Sequence, residues 1–489
     1  MNSEPYANKD YGPFDSPREE CGVIAVYAPE ETASRLAFIG LFALQHRGQE
    51  SAGIAATSGE SVSVHSDMGL VAQVFRESDF LPLSGDMAIG HTRYSTTGRS
   101  ELCNAQPMLV NGQCGSLALA NNGNIINAPQ LKEQLQEEWG CPFVSTTDTE
   151  IIAQMMVNAP GPCWEERAFQ CMRRLEGAYS IVGLTPEAMI AMRDPLGIRP
   201  LCLGRRGEGW VIASESCALD NLGADFVREI EPGEVVVIDG DGLRSAVWPS
   251  VDEGRSRALC VFELIYFSRP DSRMNGQLVH SKRQQMGAEL AREHPVDADL
   301  VIGIPDSSTA AAVGYALESG IPFSEGLIRN RYVGRTFIEP EQKLRDLGVR
   351  QKFNSLGDVI KGNRIVVVDD SIVRGTTTPH VVGLLRRAGA AEVHMRVCAP
   401  PIRHPCFMGV DMASRKELLA ANSTIPEIRD LIRADTLGYL SVKGLMKVVG
   451  GEKGGFCDAC FTGNYPVPVQ LELDKMVFES PGGGRGIEP

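Results

Sequence analysis

Residues 364–378, RIVVVDDSIVRGTTT, contain the string on which the reading of the second half of the chain turns. A continuous apolar strand delivers two adjacent carboxylates, Asp369 and Asp370, to the carboxyl edge of a sheet, and a Ser, Gly and Thr-rich turn then opens a helix. Such a turn exposes backbone N–H groups that suit a phosphate at the helix N-terminus. The paired aspartates suit ribose hydroxyls or a hard cation such as Mg2+, which prefers oxygen ligands. A lone Asp-Asp would read as an acidic strand end beside a helix cap. The whole pattern argues against that.

Outward from this string the same rhythm continues. VIGI (301–304) precedes a helix-like TAAAVGYALESG, IVVV (365–368) precedes TTTPHVVGLLRRAG, and EVHMRVCA is strand-like again. These are strand–turn–helix units of a parallel sheet. GIPDSSTAAA (303–312) brings Ser307 and Ser308 to the same crevice. The segment 329–354, RNRYVGRTFIEPEQKLRDLGVRQKFN, carries seven Lys/Arg against three Asp/Glu. By itself it reads as a solvated loop; beside a string that resembles the phosphoribosylpyrophosphate motif of type I phosphoribosyltransferases, it is expected to be a basic lid over pyrophosphate, with Arg329, Arg331, Arg350 and Lys352 as candidate anion contacts.

The first half reads differently. GVIAVYA, SAGIAATS, MAIGHTRY, SLALANN, AYSIVGL, AMIAMR, PLCLG, WVIAS and EVVVID are strand-like, with helical patterns near 32–45, 129–138, 149–158 and 164–175. Strands in bursts with helices between them point to stacked sheets and helices. The polar stretch 239–257 reads as a domain boundary, and the last ten residues, SPGGGRGIEP, as disordered.

With 489 residues, 43% hydrophobic and 22% charged, the chain is long enough for two or three cores, and two domains are expected. No apolar run approaches the roughly 18 residues of a membrane span. Residues 1–20 lack the apolar stretch of a secretory signal, so a cytoplasmic or plastid-stromal compartment is expected. The net charge of −15 argues against nonspecific nucleic-acid binding. Thirteen cysteines, an odd number, argue for free thiols, metal ligands or a catalytic thiol rather than a disulfide framework. FCDACFTG places Cys457 and Cys460 in a C-x-x-C, and the same half supplies Cys260 and Cys406, while Cys398 sits in a strand-like run and reads as core. Four thiolates suit Zn2+ or a [4Fe-4S] cluster, and spacing does not choose between them.

In the first half, LQHRGQESAGI (44–54), GHTRYSTTG (90–98), ANNGNIINA (120–128) and STTDTEI (145–151) put small or polar residues at the ends of apolar strands. The Arg of HTRY suits a substrate carboxylate, the Asp of TTDTE an α-ammonium, and the NNGN turn an oxyanion. Together they describe a pocket for a free amino acid undergoing acyl chemistry. His46 and His91 read as structural, which leaves the nucleophile and its base to be found. In PREECGVIAVY (17–27), Cys21 stands flush with a strand's beginning. Were residues 1–20 removed, its own α-amino group, of pKa about 7.7–8.0, would take the thiol proton.

These strings resemble the amidophosphoribosyltransferases, glutamine-dependent enzymes of purine synthesis, over about residues 21–470. The resemblance implies an α/β two-domain chain. Its parts are a propeptide at 1–20, an αββα Ntn-hydrolase sandwich (class II glutamine amidotransferase) at 21–245, a type I phosphoribosyltransferase domain at 255–470 and a tail at 471–489. It makes Cys21 the nucleophile, Asn122 and Gly123 the oxyanion hole, and Arg47, Arg93 and Asp148 the glutamine contacts. Phosphoribosylpyrophosphate falls to Asp369, Asp370, Ser371, Gly375, Thr376 and Thr377, with one Mg2+ at Ser307, Asp369 and Asp370. Family members with a propeptide carry one [4Fe-4S] cluster, and the matching ligands are Cys260, Cys406, Cys457 and Cys460.

The implied reaction hydrolyses L-glutamine and uses the ammonia to displace pyrophosphate, giving 5-phosphoribosylamine. Purine nucleotide inhibitors and a homotetramer are expected from the family, and neither nucleic acid nor membrane is an expected partner. The competing readings are a nonenzymatic nucleotide-sensing regulator, which the Cys21 strings and the acidic charge disfavour, and another class II amidotransferase, which would not need RIVVVDDSIVRGTTT.

Overall fold

The computed structural model describes residues 21–94, 100–248, 257–330, 353–412 and 414–469. Two antiparallel sheets form its first half. One has seven strands, in spatial order Asp225–Glu229, Cys202–Arg206, Gly209–Ala213, Gly22–Tyr27, Met87–Arg93, Ser51–Thr57 and Val62–Met68. The other has six, in the order Gly242–Val247, Glu234–Asp239, Met189–Arg193, Gly177–Leu184, Gly115–Ile125 and Met108–Gly112. The period-2 alternation of strand side chains builds three layers of core from these two sheets. Val23 and Ala25 meet Ala118, Ala120, Val182 and Ala191 between the sheets. Ile24 and Val26 turn outward against helix Ala33–Ala43, and Leu117 and Leu119 against helix Asp148–Asn158. The result is the expected αββα sandwich.

The sequence pattern located the nine central strands and missed four: Val62–Met68, Met108–Gly112, Asp225–Glu229 and Gly242–Val247. All four are sheet edges. An edge strand carries polar residues on its open side, so the apolar run that marks a central strand is diluted. The stretch expected as a boundary, 239–257, therefore begins with the edge strand Gly242–Val247, which pairs with Glu234–Asp239. The NNGN segment also differs from the expected turn. Asn121 to Asn124 lie inside a strand, with Asn122 opposite Ser180 and Gly123 opposite Tyr179.

The second half is built on a parallel sheet of Leu300–Gly303, Arg364–Asp369, Glu392–Val397 and Thr436–Tyr439. Val366 and Val368 face helices Val279–Glu293, Thr309–Ser319 and Val442–Val449, whereas Ile365 and Val367 face Thr378–Arg387 and Ile425–Ile432. Burial on both faces explains why IVVV (365–368) is apolar without interruption. A short parallel pair, Ala258–Cys260 with Gly455–Cys457, sets Cys260 opposite Cys457. Among the described residues no helix is long and apolar enough to cross a membrane.

The layer between the two sheets is rich in alanine, so the sheets approach closely. Replacing the fully buried Ala120 by Leu is expected to cost about 1–3 kcal/mol by overpacking. Urea denaturation of the variant against the parent measures this as a lower midpoint.

Candidate active site

Cys21 stands immediately before strand Gly22–Tyr27, at the edge where strand Met87–Arg93 ends. Its Sγ donates to the Tyr94 carbonyl at 3.3 Å, and the Tyr94 N–H lies 3.5 Å from the sulfur. Burial pushes the thiol up to about 11, and Glu50 and Asp148 add to the rise against the opposing effects of the Tyr94 hydrogen bond and Arg93. The thiol therefore stays protonated near neutrality and needs a base to act as a nucleophile. Buried His91 is not that base. Loss of water and the nearby Arg93 press it down to about 3, while its Nε2 lies 3.2 Å from the Asn121 carbonyl.

Arg93 and Asp148 are both buried and act electrostatically on Cys21. Asp148 opens helix Asp148–Asn158, whose Thr147 cap accepts the Thr149 N–H at 3.0 Å. The Asp148 Oδ2 accepts from the Ile125 N–H at 2.9 Å, and burial raises its carboxyl to about 6 against the pull of that bond and of Arg93. Asn122 is 1% exposed, and its Nδ2 has no hydrogen-bond partner among the described residues. A dry, unpaired amide N–H is what an oxyanion hole offers to a developing charge. Gly123 is required beside it, because a Cβ there would sit 2.0 Å from the Ala178 carbonyl oxygen.

Arg47 departs from the expectation of a glutamine contact. Its Nε donates to the Cys21 carbonyl at 3.0 Å, Nη1 to Glu215 at 2.7 Å and Glu263 at 3.0 Å, and Nη2 to Glu263 at 2.7 Å. The guanidinium is wholly buried, and Glu263 and Glu215 hold it charged although burial by itself would favour its neutral form. It positions the cysteine's backbone. Glu215 and Glu263 escaped the sequence reading, since neither lies in a recognisable motif. The buried cation Arg47 demanded carboxylate partners, but only the fold says which.

In the second half, the loops after strands Leu300–Gly303 and Arg364–Asp369 meet across the sheet edge. Ser307 donates to Asp370 Oδ2, Ser371 Oγ to Asp370 Oδ1 at 2.8 Å, and Ser308 Oγ to Asp369 Oδ1 at 3.3 Å. Burial raises the Asp370 carboxyl, against the lowering effect of Ser307 and Ser371. Gly375, Thr376 and Thr377 lead into helix Thr378–Arg387, and the buried Thr376 Oγ1 has no partner among the described residues. Arg329 ends strand Leu327–Arg329 and donates to Asp306 at 3.3 Å, while Arg331, Arg350 and Lys352 lie outside the described residues. Ser307, Asp369 and Asp370 bring oxygen donors to this edge, the ligand type a hard cation takes.

Cys260, Cys406, Cys457 and Cys460 are half-buried free thiols of one neighbourhood. Burial raises Cys460 well above the ordinary thiol value, and the charges of Cys260, Cys457 and Cys406 raise it further. Burial likewise pushes Cys457 up to about 12. Among the described residues no three Cys, His, Asp or Glu side chains converge on a single-ion site. Four thiols held in mutual electrostatic range suit a positively charged centre that stabilises them as thiolates. Cys398 is buried in the core between sheet and helices.

A model of the glutamine amidotransferase domain matches residues 91–221. The amidophosphoribosyltransferase of Synechocystis sp. is 52% identical over 474 residues, 95% of each chain. That of Bacillus subtilis is 47% identical, over 92% of this chain and 95% of its own. The chain belongs to the amidophosphoribosyltransferase family. Two solved structures agree. The glutamine phosphoribosylpyrophosphate amidotransferase of B. subtilis, complexed with ADP and GMP, superposes with a TM-score of 0.86 at 46% identity, covering 93% of this chain and 99% of its own. A structure described as the allosteric regulatory enzyme of purine biosynthesis gives 0.87 at 46% identity, covering 92% and 97%. Membership makes the chain a transferase of purine biosynthesis, with an Ntn-type amidotransferase half and a phosphoribosyltransferase half.

The buried Asp148 of this amidophosphoribosyltransferase fold yields a pH-dependent expectation. Its carboxyl is raised from an ordinary 3.8 to about 6, so the folded chain binds its proton more tightly than the unfolded chain does. Stability therefore falls as pH rises from about 4 to 6 and stays lower above that range. Asp148→Asn removes the cost. The variant is expected to be about 1–3 kcal/mol more stable than the parent at pH 8 and no more stable near pH 4, as measured by urea midpoints at the two pH values.

Proposed function

We propose that the Cys21 half hydrolyses L-glutamine and the Asp369–Asp370 half uses the released ammonia to make 5-phosphoribosylamine from phosphoribosylpyrophosphate. The observation that carries the reading is a buried cysteine thiol at a strand's head and a buried amide donor without a partner among the described residues in one half, with a strand-end carboxylate pair in the other. Residues 21–245 and 255–470 are the corresponding domains, and residues 1–20, outside the described residues, are a propeptide.

Removal of the propeptide frees the Cys21 α-amine, whose pKa of about 7.7–8.0 suits it to take the thiol proton. The sulfur attacks the side-chain amide carbon of glutamine, the C–N bond breaks, and ammonia leaves with the transferred proton. Water then cleaves the thioester to release glutamate. Arg93 pairs with the glutamine carboxylate, Asp148 with its ammonium, and Asn122 Nδ2 with the Gly123 N–H receives the oxyanion. In the second half the nitrogen of ammonia attacks ribose C1 as the bond to pyrophosphate breaks. Ser371, Gly375, Thr376 and Thr377 cradle the 5′-phosphate, and Arg329, Arg331, Arg350 and Lys352 take the anionic leaving group. Mg2+, held by the oxygens of Ser307, Asp369 and Asp370, would supply charge neutralisation for pyrophosphate. Cys260, Cys406, Cys457 and Cys460 would hold one [4Fe-4S] cluster per subunit, through which no step passes. The ADP and GMP in the B. subtilis complex support purine nucleotides as inhibitors. A cytoplasmic homotetramer is the assembly carried by the family resemblance.

Two substitutions separate the halves. Cys21→Ala is expected to abolish glutamine-dependent synthesis and leave ammonia-dependent synthesis intact, and equal loss of both would contradict the division of labour. Asp370→Ala is expected to remove both, and retained synthesis with either nitrogen source would overturn the second site. Purified anaerobically, the protein is expected to be brown with about four irons per chain. Zinc in a colourless, active protein would reverse the cluster assignment. An intact mass that begins at Cys21 checks the propeptide.

A further inference from the structure

The two working parts of the amidotransferase site both rest on residues from the other half. Arg47 grips the Cys21 carbonyl, and two carboxylates grip Arg47. Glu215 belongs to the first half, just after strand Gly209–Ala213. Glu263 belongs to the second, a short way along the chain from Cys260. Glu263 Oε1, which also accepts from Arg47, lies 3.8 Å from Arg199 Nη1, and Arg199 donates to the Met408 carbonyl. None of these four charged side chains has any exposure.

The Met408 segment in turn touches the oxyanion strand. Asn124 Nδ2 donates to the Phe407 carbonyl at 2.9 Å. Gly409, at φ +102°, comes so near that a Cβ would lie 2.8 Å from Arg199 Nη2 and 3.1 Å from the Gly123 carbonyl carbon. One buried ionic cluster therefore connects the Cys21 backbone, the Gly123–Asn124 peptide that follows the oxyanion N–H and the segment 407–409.

We propose that Glu263 and the 407–409 segment are positioning elements of the amidotransferase site, holding Cys21 through Arg47 and the Gly123 peptide through direct packing. The inference rests on the reading of Cys21 as nucleophile. Once residues 1–20 are gone, Cys21 keeps a single peptide group, and its carbonyl is the one that Arg47 holds. Glu263 aims that Arg. Buried ion pairs are poor stabilisers compared with apolar packing of similar volume, but removing one partner leaves the other's charge uncompensated, so a paired cluster holds its geometry tightly. Glutamine affinity should survive a fault here, because Arg93 and Asp148 lie outside the cluster, whereas placement of the sulfur should not.

The test is Glu263→Gln in the full-length processed enzyme. Glutamine-dependent kcat is expected to fall roughly tenfold or more, with the glutamine KM changed by less than about threefold and ammonia-dependent synthesis within about twofold of the parent. Labelling of Cys21 by a chloroketone analogue of glutamine should slow in parallel yet still reach the parent's end point. A folding defect alone would lower that end point and leave the rate unchanged. Gly409→Ala, which keeps every charge of the cluster, approaches from the oxyanion side and should show the same split. It decides the matter if Glu263→Gln does not accumulate as folded protein. Unchanged glutamine-dependent kcat, parallel loss of both syntheses, or a lowered labelling end point at the parent's rate would overturn the inference. Cys21→Ala is assayed alongside: if it still uses glutamine, the nucleophile assignment falls, and if it does not while Glu263→Gln is unimpaired, only the positioning role falls.

Discussion

A charge-balanced cluster with no access to water holds the two halves of the chain in register. Arg47, Arg199, Glu215 and Glu263 bring two cations and two anions together at the boundary, and neighbouring donors satisfy what remains. Glu215 accepts from His46 at 2.7 Å, Ser272 Oγ at 2.6 Å and the Arg269 N–H at 2.9 Å, and Glu263 accepts from Ser268 Oγ at 2.7 Å. Desolvating an ion costs several kcal/mol even after relaxation, and breaking a buried pair typically costs about 3–5 kcal/mol. The relative placement of the halves is thus set by groups that tolerate little displacement. Because Arg47 also holds the Cys21 carbonyl, the same constraint reaches that cysteine.

Dryness governs the chemistry at the amidotransferase site as well. Burial drives Cys21 toward the thiol, Asp148 toward the neutral acid and His91 toward the neutral imidazole. Among the described residues, the buried Arg93 is then the cation that acts on the Cys21 thiol, which stays protonated. In the other half the problem is reversed. Carboxylates are concentrated at a strand end, and Ser307, Ser308 and Ser371 hold them in place with hydroxyl donors.

Much of this was legible before any fold was known. RIVVVDDSIVRGTTT reads as a parallel-sheet strand running into a turn that opens a helix, and strand Arg364–Asp369 and helix Thr378–Arg387 stand there. The nine central strands were visible because burial on both faces writes itself into local composition. Cys21, Arg93, Asp148 and Asn122 stood out because polar groups at apolar strand ends are conspicuous. The edge strands were not visible, since one open side dilutes their pattern.

What the sequence alone determined was therefore local: which segments are strands, where the chemistry-bearing side chains fall along them, and which class of reaction those types suit. Tertiary structure decided the rest. It moved Arg47 from an expected substrate contact to a clamp on Cys21, put NNGN inside a strand rather than at a turn, and recruited Glu215, Glu263 and Arg199, which no motif marks. The physical reason is that charge pairing and close backbone packing act through space across separations such as the 216 residues between Arg47 and Glu263 and the 283 between Asn124 and Phe407, and a linear pattern records only neighbours.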